Sequence, residues 1–129
     1  MTDKENETTE ECAADKVAAE RKKAATKERN KLRKIFKPVM DDDSYKACEV
    51  LIDNIAFMSV SLAEIRDNIR KFGFTEVYDN GGGQTGTKDS VHVRAYNNML
   101  KSYNASCKQL LSAIPKKDRD SVDDGFDSF

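Results

Sequence analysis

Two stretches of the chain carry apolar residues that recur every three or four positions. From Cys48 the first reads Leu51, Ile55, Met58, Leu62, Ile65, Ile69, Phe72, and the second reads Tyr96, Leu100, Tyr103, Cys107, Leu110, Ile114. A mean period near 3.5 marks an amphipathic helix with a coiled-coil-like seam. Two such helices joined across the glycine-rich connector NGGGQTGT, residues 80 to 87, predict an antiparallel hairpin over residues 44 to 114. Punctuation supports these limits. Asp41, Asp42, Asp43 and Ser44 are start signals that cap a helix and suit its dipole. Gly73 supplies a stop, and Pro115 closes the second helix after a start at Asp89 or Ser90. Between the helices, FTEVYDN reads as a short extended piece, with Asn80-Gly81 as a tight turn or hairpin tip.

A third helix is predicted upstream. Residues 13 to 37 are rich in Ala, Lys, Arg and Glu and contain neither Gly nor Pro. Apolar residues at helical spacing occur only near its end, at Leu32, Ile35, Phe36 and then Val39, and Pro38 ends it. The pattern predicts docking at the C-terminal end, with a basic front half projecting into solvent. The hairpin helices also carry apolar residues off their seams: Val50, Ile52, Phe57 and Val60 on the first, Val91, Val93, Met99 and Leu111 on the second. A single partner helix cannot cover two faces. Self-association through Val50, Phe57, Val60, Met99 and Leu111 is the favoured reading. The other is that Leu32, Ile35, Phe36 and Val39 fill the second face within one subunit.

Composition adds a reason to expect partners: of 129 residues, 38% are hydrophobic and 35% charged, a low apolar share for a compact globule. The net charge of −1 conceals segregation. Residues 1 to 14 carry five acids against Lys4, residues 15 to 37 carry ten bases against three acids, residues 38 to 117 balance ten against ten, and residues 118 to 129 carry five acids against Arg119. The expected organisation is an all-α chain with a disordered acidic N-terminus (1–14), a basic helix (15–37), a helical-hairpin oligomerisation domain (38–117) and a disordered acidic tail (118–129).

No catalytic constellation emerges. Gly81 and Gly86 have P-loop spacing, but Thr87-Lys88 reverses the Lys-Thr order, and no buried strand of an α/β sheet precedes them. Ser90 and Asp89 lie too close in sequence to His92 to orient it as a triad. One histidine and three scattered cysteines, Cys12, Cys48 and Cys107, lack metal-ligand spacing. Asp41, Asp42 and Asp43 read as a capping run rather than a cation site. No cofactor, metal or enzymatic activity is expected. The odd cysteine count suggests free thiols in a reducing compartment, and the longest uncharged run in the hairpin helices, Asn54 to Ala63, is too short to span a membrane. The strongest functional signal is the basic segment. Arg21, Lys22, Lys23, Lys27, Arg29, Lys31, Arg33, Lys34 and Lys37 are candidates for binding nucleic-acid phosphates. They are spread around the helix, and no aromatic residue is interleaved before Phe36, so any binding should tolerate sequence.

Three strings together are similar to a known family: LIDNIAFM at 51 to 58, YDNGGGQTGTKDS at 78 to 90, and RAYNNMLKSYNASCKQLLSAIPK at 94 to 116. Over residues 32 to 117 the chain resembles the P27-type small subunit of tailed-bacteriophage terminases, particularly those of phages infecting Gram-positive bacteria. The resemblance implies a non-enzymatic, ring-forming protein of the host cytoplasm, not carried in the mature virion. Such a protein recognises double-stranded viral DNA and regulates a separate large subunit that holds the ATPase and nuclease. It further implies contact of the C-terminal tail with other packaging components, the portal among them. Many members carry an N-terminal helix-turn-helix, which this chain lacks, so the DNA assignment rests on charge. A coiled-coil adaptor that binds only proteins is the alternative.

Overall fold

A computed structural model describes residues 2–115, with side chains from residue 9 onward. The chain is all-α apart from one small sheet. Helix α1 covers Thr2–Phe36, a one-turn 3₁₀ segment Lys37–Val39 follows, and α2 covers Asp42–Phe72. Strands β1 (Thr75–Asp79) and β2 (Thr85–Asp89) form an antiparallel hairpin, and α3 covers Val91–Ser112. The tail expected at 118–129 lies outside the described residues. Among the described residues no helix is long and apolar enough to cross a membrane.

The caps follow from the sequence. Asp41 is the N-cap of α2, its Oδ1 accepting from the Ser44 N–H at 2.7 Å. This bond holds the carboxyl below the usual aspartate range. Ser90 caps α3, its Oγ accepting from the Val93 N–H at 3.2 Å. Gly73 ends α2, its N–H donating to the Ile69 carbonyl at 2.8 Å.

Helix α2 is the middle element, with α1 packed along one side and α3 along another. The two α1–α2 ion pairs, Arg21 with Glu64 and Arg29 with Asp53, show that these helices run antiparallel. Helices α2 and α3 form the expected antiparallel hairpin, with Arg66 near Tyr96 and Phe72 stacked on His92 at 5.4 Å. The core lies where the C-terminal ends of α1 and α3 meet the first half of α2. Leu32, Phe36, Tyr45, Ile52, Ile55, Ala56, Leu110 and Ile114 form one buried cluster. Ile35, Val39, Cys48, Leu51, Met58, Tyr103, Cys107 and Leu111 are partly buried against it.

Four expectations are revised by this packing. First, α2 is not buried along a simple heptad seam. Ile52, an off-seam residue, is 1% exposed, because a helix with partners on two sides buries a wider arc than one facing a single partner. Second, Leu32 and Phe36 belong to the same core as the hairpin, so the basic helix and the hairpin, as far as Ile114, form one packed unit. Third, the basic half of α1 does not project; it is tied to α2 as far back as Arg21. Glu64 lies about two turns before the end of α2 at Phe72, so it is the acidic first turns of α1, before about residue 13, that extend past that end. Fourth, those turns, expected to be disordered, are helical from Thr2. The costly step in helix formation is nucleation. A docked helix can propagate through a flank that lacks Gly and Pro and places acids near its N-terminus.

The glycine connector is the tip of the β-hairpin. Its register pairs Thr75 with Asp89, Val77 with Thr87 and Asp79 with Thr85. Gly81, Gly82 and Gly83 all have positive φ, between 64° and 83°, which lets the chain reverse between Asp79 and Thr85. Gly86 serves a different purpose: a Cβ there would lie 2.7 Å from the Tyr78 ring, which crosses the strand at that point and would have to shift.

Candidate nucleic-acid interface

Packing sorts the bases of α1, which composition alone left spread around the helix, into two sets. At 100° per residue, Leu32 and Phe36 define the inner face, and Arg21 and Arg29 fall on its edges. Arg21 Nε donates to Glu64 Oε2 at 2.9 Å, and its Nη2 donates to Oε1 of the same carboxylate. The bidentate pair raises the Arg21 pKa and holds Glu64 below the usual glutamate range. Arg29 Nε sits 3.8 Å from Asp53 Oδ1, buried and without a hydrogen bond among the described residues. These two arginines, expected to contact phosphates, instead join α1 to α2.

The opposite face carries Lys23, Lys27 and Lys34, with Asn30 between them, and Lys37 continues the row in the 3₁₀ turn. All are exposed. Lys22 lies nearer α2 and lines a groove with Phe57 and Val60, whereas Arg33 flanks this stripe on one side. Lys31 flanks it on the other, with its Nζ 3.2 Å from Glu28 Oε1. Lys23, Lys27 and Lys34 make no ion pair among the described residues, and Lys37 Nζ lies 6.0 Å from the centre of the Tyr45 ring. The stripe from Lys23 to Lys37 spans about 21 Å at 1.5 Å per residue. A row of lysines of this length, with Glu20 on the same surface at its N-terminal end, is a candidate for contacting a phosphate backbone, and it offers no aromatic platform for bases.

The residues expected to mediate self-association separate in a similar way. Val50 is 70% exposed and Phe57 60% exposed, one heptad apart on the open face of α2. Phe57 and Val60 line a groove of about 370 Å³ with Ala18 and Ala25 of α1. Leu111 packs against the core, and Met99 is half-buried on α3. A further apolar group surrounds the sheet: Phe72 and Val91, already marked by helical spacing, lie with Phe74 and Val77, and all four are at least half exposed. The alternating burial of β1 explains Val77, which shares its outward side with Thr75 and Asp79.

Neither candidate for chemistry forms a catalytic centre. The glycine loop joins two strands instead of leading into a helix, so its backbone has no helix N-terminus behind it to receive a phosphate. Lys88 points to Glu76, 3.4 Å away, and lies over the Tyr78 ring. His92 stacks on Phe72. Among the described residues no group of His, Cys, Asp and Glu could hold a metal ion. Cys48 and Cys107 are half-buried fillers. Burial raises the Cys107 pKa and pushes the neighbouring Tyr103 hydroxyl up to about 12. No protein-family model, curated protein or solved structure matches the chain.

Proposed function

We propose that this protein is a non-enzymatic, self-associating DNA-binding subunit that acts in phage genome packaging as a terminase small subunit. The observation that carries DNA binding is the outer lysine stripe of α1. Among the described residues Lys23, Lys27 and Lys34 have no acidic partner, and the stripe is held rigidly because the inner face of the helix is committed to α2. Self-association is supported by the exposed pair Val50 and Phe57 and by the apolar surface around the sheet. The packaging role rests on the resemblance of residues 32 to 117. The large terminase subunit would supply the catalysis and, with the portal, the protein contacts, in the cytoplasm of an infected cell. In this reading the β-hairpin is a structural connector.

Duplex binding measured by fluorescence anisotropy across a salt series tests the DNA reading, and light scattering tests assembly. The expected results are binding at 50 mM salt that weakens by roughly 10²–10³ at 200 mM, as four or five phosphate contacts require, and a mass several times that of one chain. Absence of duplex binding at low salt would favour a protein-only adaptor, and a monomer would exclude a ring.

A further inference from the structure

The β-hairpin carries more exposed apolar surface than a connector needs. Val77, 75% exposed, and Phe74, 73% exposed, are the most exposed large apolar residues among those described. No residue of either strand is buried, and a lone two-stranded sheet is marginal in water. Hydrogen bonding fixes which way each backbone group points. The Ser90 N–H donates to the Phe74 carbonyl at 2.9 Å, and the Asn80 N–H donates to the Gln84 carbonyl at 3.0 Å. With Val77 opposite Thr87, the hydrogen-bonded pairs between these ends fall at Glu76–Lys88 and Tyr78–Gly86. The N–H and carbonyl groups of Thr75, Val77 and Asp79 therefore turn to the outer side of β1. That edge holds neither proline nor lysine, the usual guards against a further strand. The edge of β2 is a poorer template, with Gly86 and Lys88 in its short run.

An unpaired edge specifies an extended strand, and the residues of β1 specify which one. TEVYD laid antiparallel to itself about Val77 sets Val77 against Val77, Thr75 against Asp79 and Glu76 against Tyr78, with no like charges directly opposed. Each Glu76 carboxylate is already met in its own chain by Lys88 at 3.4 Å and Arg94 at 3.9 Å. The Tyr78 ring leans over Gly86 of its own β2. The β1 side of that face is thereby left open to Phe74 of a second copy, the diagonal neighbour of Tyr78 across the new ladder. Continuing the sheet head to tail onto β2 of another copy would set Val77 against Thr87 and Phe74 against Ser90, and would cover less apolar surface. We propose that β1 pairs edge to edge with β1 of a second copy about a two-fold axis at Val77, joining two hairpins into a four-stranded antiparallel sheet. The contact exchanges roughly six backbone hydrogen bonds over about 16 Å of strand. It is small and concentration-dependent, and it requires neither DNA nor the Val50–Phe57 face.

Disulfide trapping in the full chain tests the pairing, in a Cys12→Ser background that removes the exposed native thiol. Hydrogen-bonded antiparallel partners have Cα atoms about 5.5 Å apart, within disulfide reach. Under oxidised glutathione, Val77→Cys should give a reducible two-chain band about tenfold stronger than Thr87→Cys, the matching position on the edge of β2. A Val77→Cys band no stronger than that of Thr87→Cys or of the background chain would overturn the proposal. So would an equal mixture of the two variants that cross-links mainly Val77→Cys to Thr87→Cys, the signature of head-to-tail pairing. Amide hydrogen exchange reads the same contact without a cysteine. At about 1 mM protein the amides of Thr75, Val77 and Asp79 should exchange at least tenfold more slowly than those of Thr85, Thr87 and Asp89. Val77→Lys places like charges opposite each other and should abolish that protection, while the inward amides of Tyr78 and Gly86 stay protected and report an intact hairpin. Equal exchange at both edges of the unmodified chain would refute the pairing. Both signals should persist in a Phe57→Asp chain, which separates this edge from the α2 surface proposed above for assembly; their loss there would overturn the edge as a contact in its own right.

Discussion

Replacing Lys23, Lys27, Lys34 and Lys37 together with glutamine separates a positioned interface from a merely cationic chain, provided the control removes charge from the other face. The control is Arg21→Gln with Arg29→Gln, which touches the two bases that face α2. Each phosphate neutralised by a lysine contributes about 0.9 to the slope of log K against log salt, so at 0.1 M salt it is worth roughly eightfold in affinity. Removing all four charges should therefore weaken binding by about 10³–10⁴ and flatten the slope by about 3.6. The arginine pair should leave the slope nearly unchanged. Its cost should fall on stability instead, as a small drop in the urea midpoint, since exposed ion pairs contribute little. Anisotropy titrations of one labelled duplex between 50 and 200 mM salt read the slopes, and circular dichroism confirms that all variants are equally helical. An equal loss per charge from both faces would refute the assignment, because it would mean that total charge governs binding and the orientation of α1 is irrelevant.

Other expectations follow from the same structure. Phe36→Ala removes a side chain with no exposed surface that joins α1 to the core, and should cost about 3–5 kcal/mol in urea unfolding; a loss below about 1 kcal/mol would mean that α1 is an appendage. Phe57→Asp should reduce the mass seen by light scattering toward one chain while far-ultraviolet circular dichroism stays nearly constant, since Phe57 is 60% exposed; an unchanged mass would move the interface to the apolar residues around the sheet. Asp41 and Glu64 titrate lower in the folded chain than their usual values, so their stabilising contribution is complete above the unfolded carboxylate range near pH 4 and is lost as pH falls through the depressed folded values. Asp41→Asn keeps a capping oxygen but cannot titrate, and should therefore flatten the fall in urea midpoint between pH 5 and pH 2. An identical pH profile in the variant would show that the cap contributes nothing to acid sensitivity.

Much of the architecture is a local property of the sequence. Apolar periodicity, the absence of Gly and Pro from three long stretches, and the caps at Asp41 and Ser90 are sufficient to place three helices and the α2–α3 hairpin, because helix propensity and capping depend on residues within one or two turns. The glycine cluster marks a reversal for the same reason: positive φ at three consecutive positions is accessible to glycine and strained for other residues. The strand Thr85–Asp89 was less legible. Its first residues, Thr85, Gly86 and Thr87, lie inside the glycine-rich connector, and its pairing depends on the partner strand β1 and on Tyr78 crossing Gly86.

What only tertiary packing decided is which side of each helix faces which neighbour. A lysine and an arginine on α1 have similar charge and helix propensity, yet Arg21 and Arg29 become interhelical ties while Lys23, Lys27, Lys34 and Lys37 remain open. The difference is the angular position of Leu32 and Phe36, whose burial against α2 sets the rotation of the whole helix. The same rotation buries Ile52 and leaves Val50 and Phe57 exposed on an adjoining arc of α2. By itself the sequence determined three amphipathic helices, a glycine turn and a basic segment. Long-range burial of a few apolar residues then converted the diffuse basic segment into a face, because burial acts on three-dimensional neighbours that periodicity along one helix does not specify.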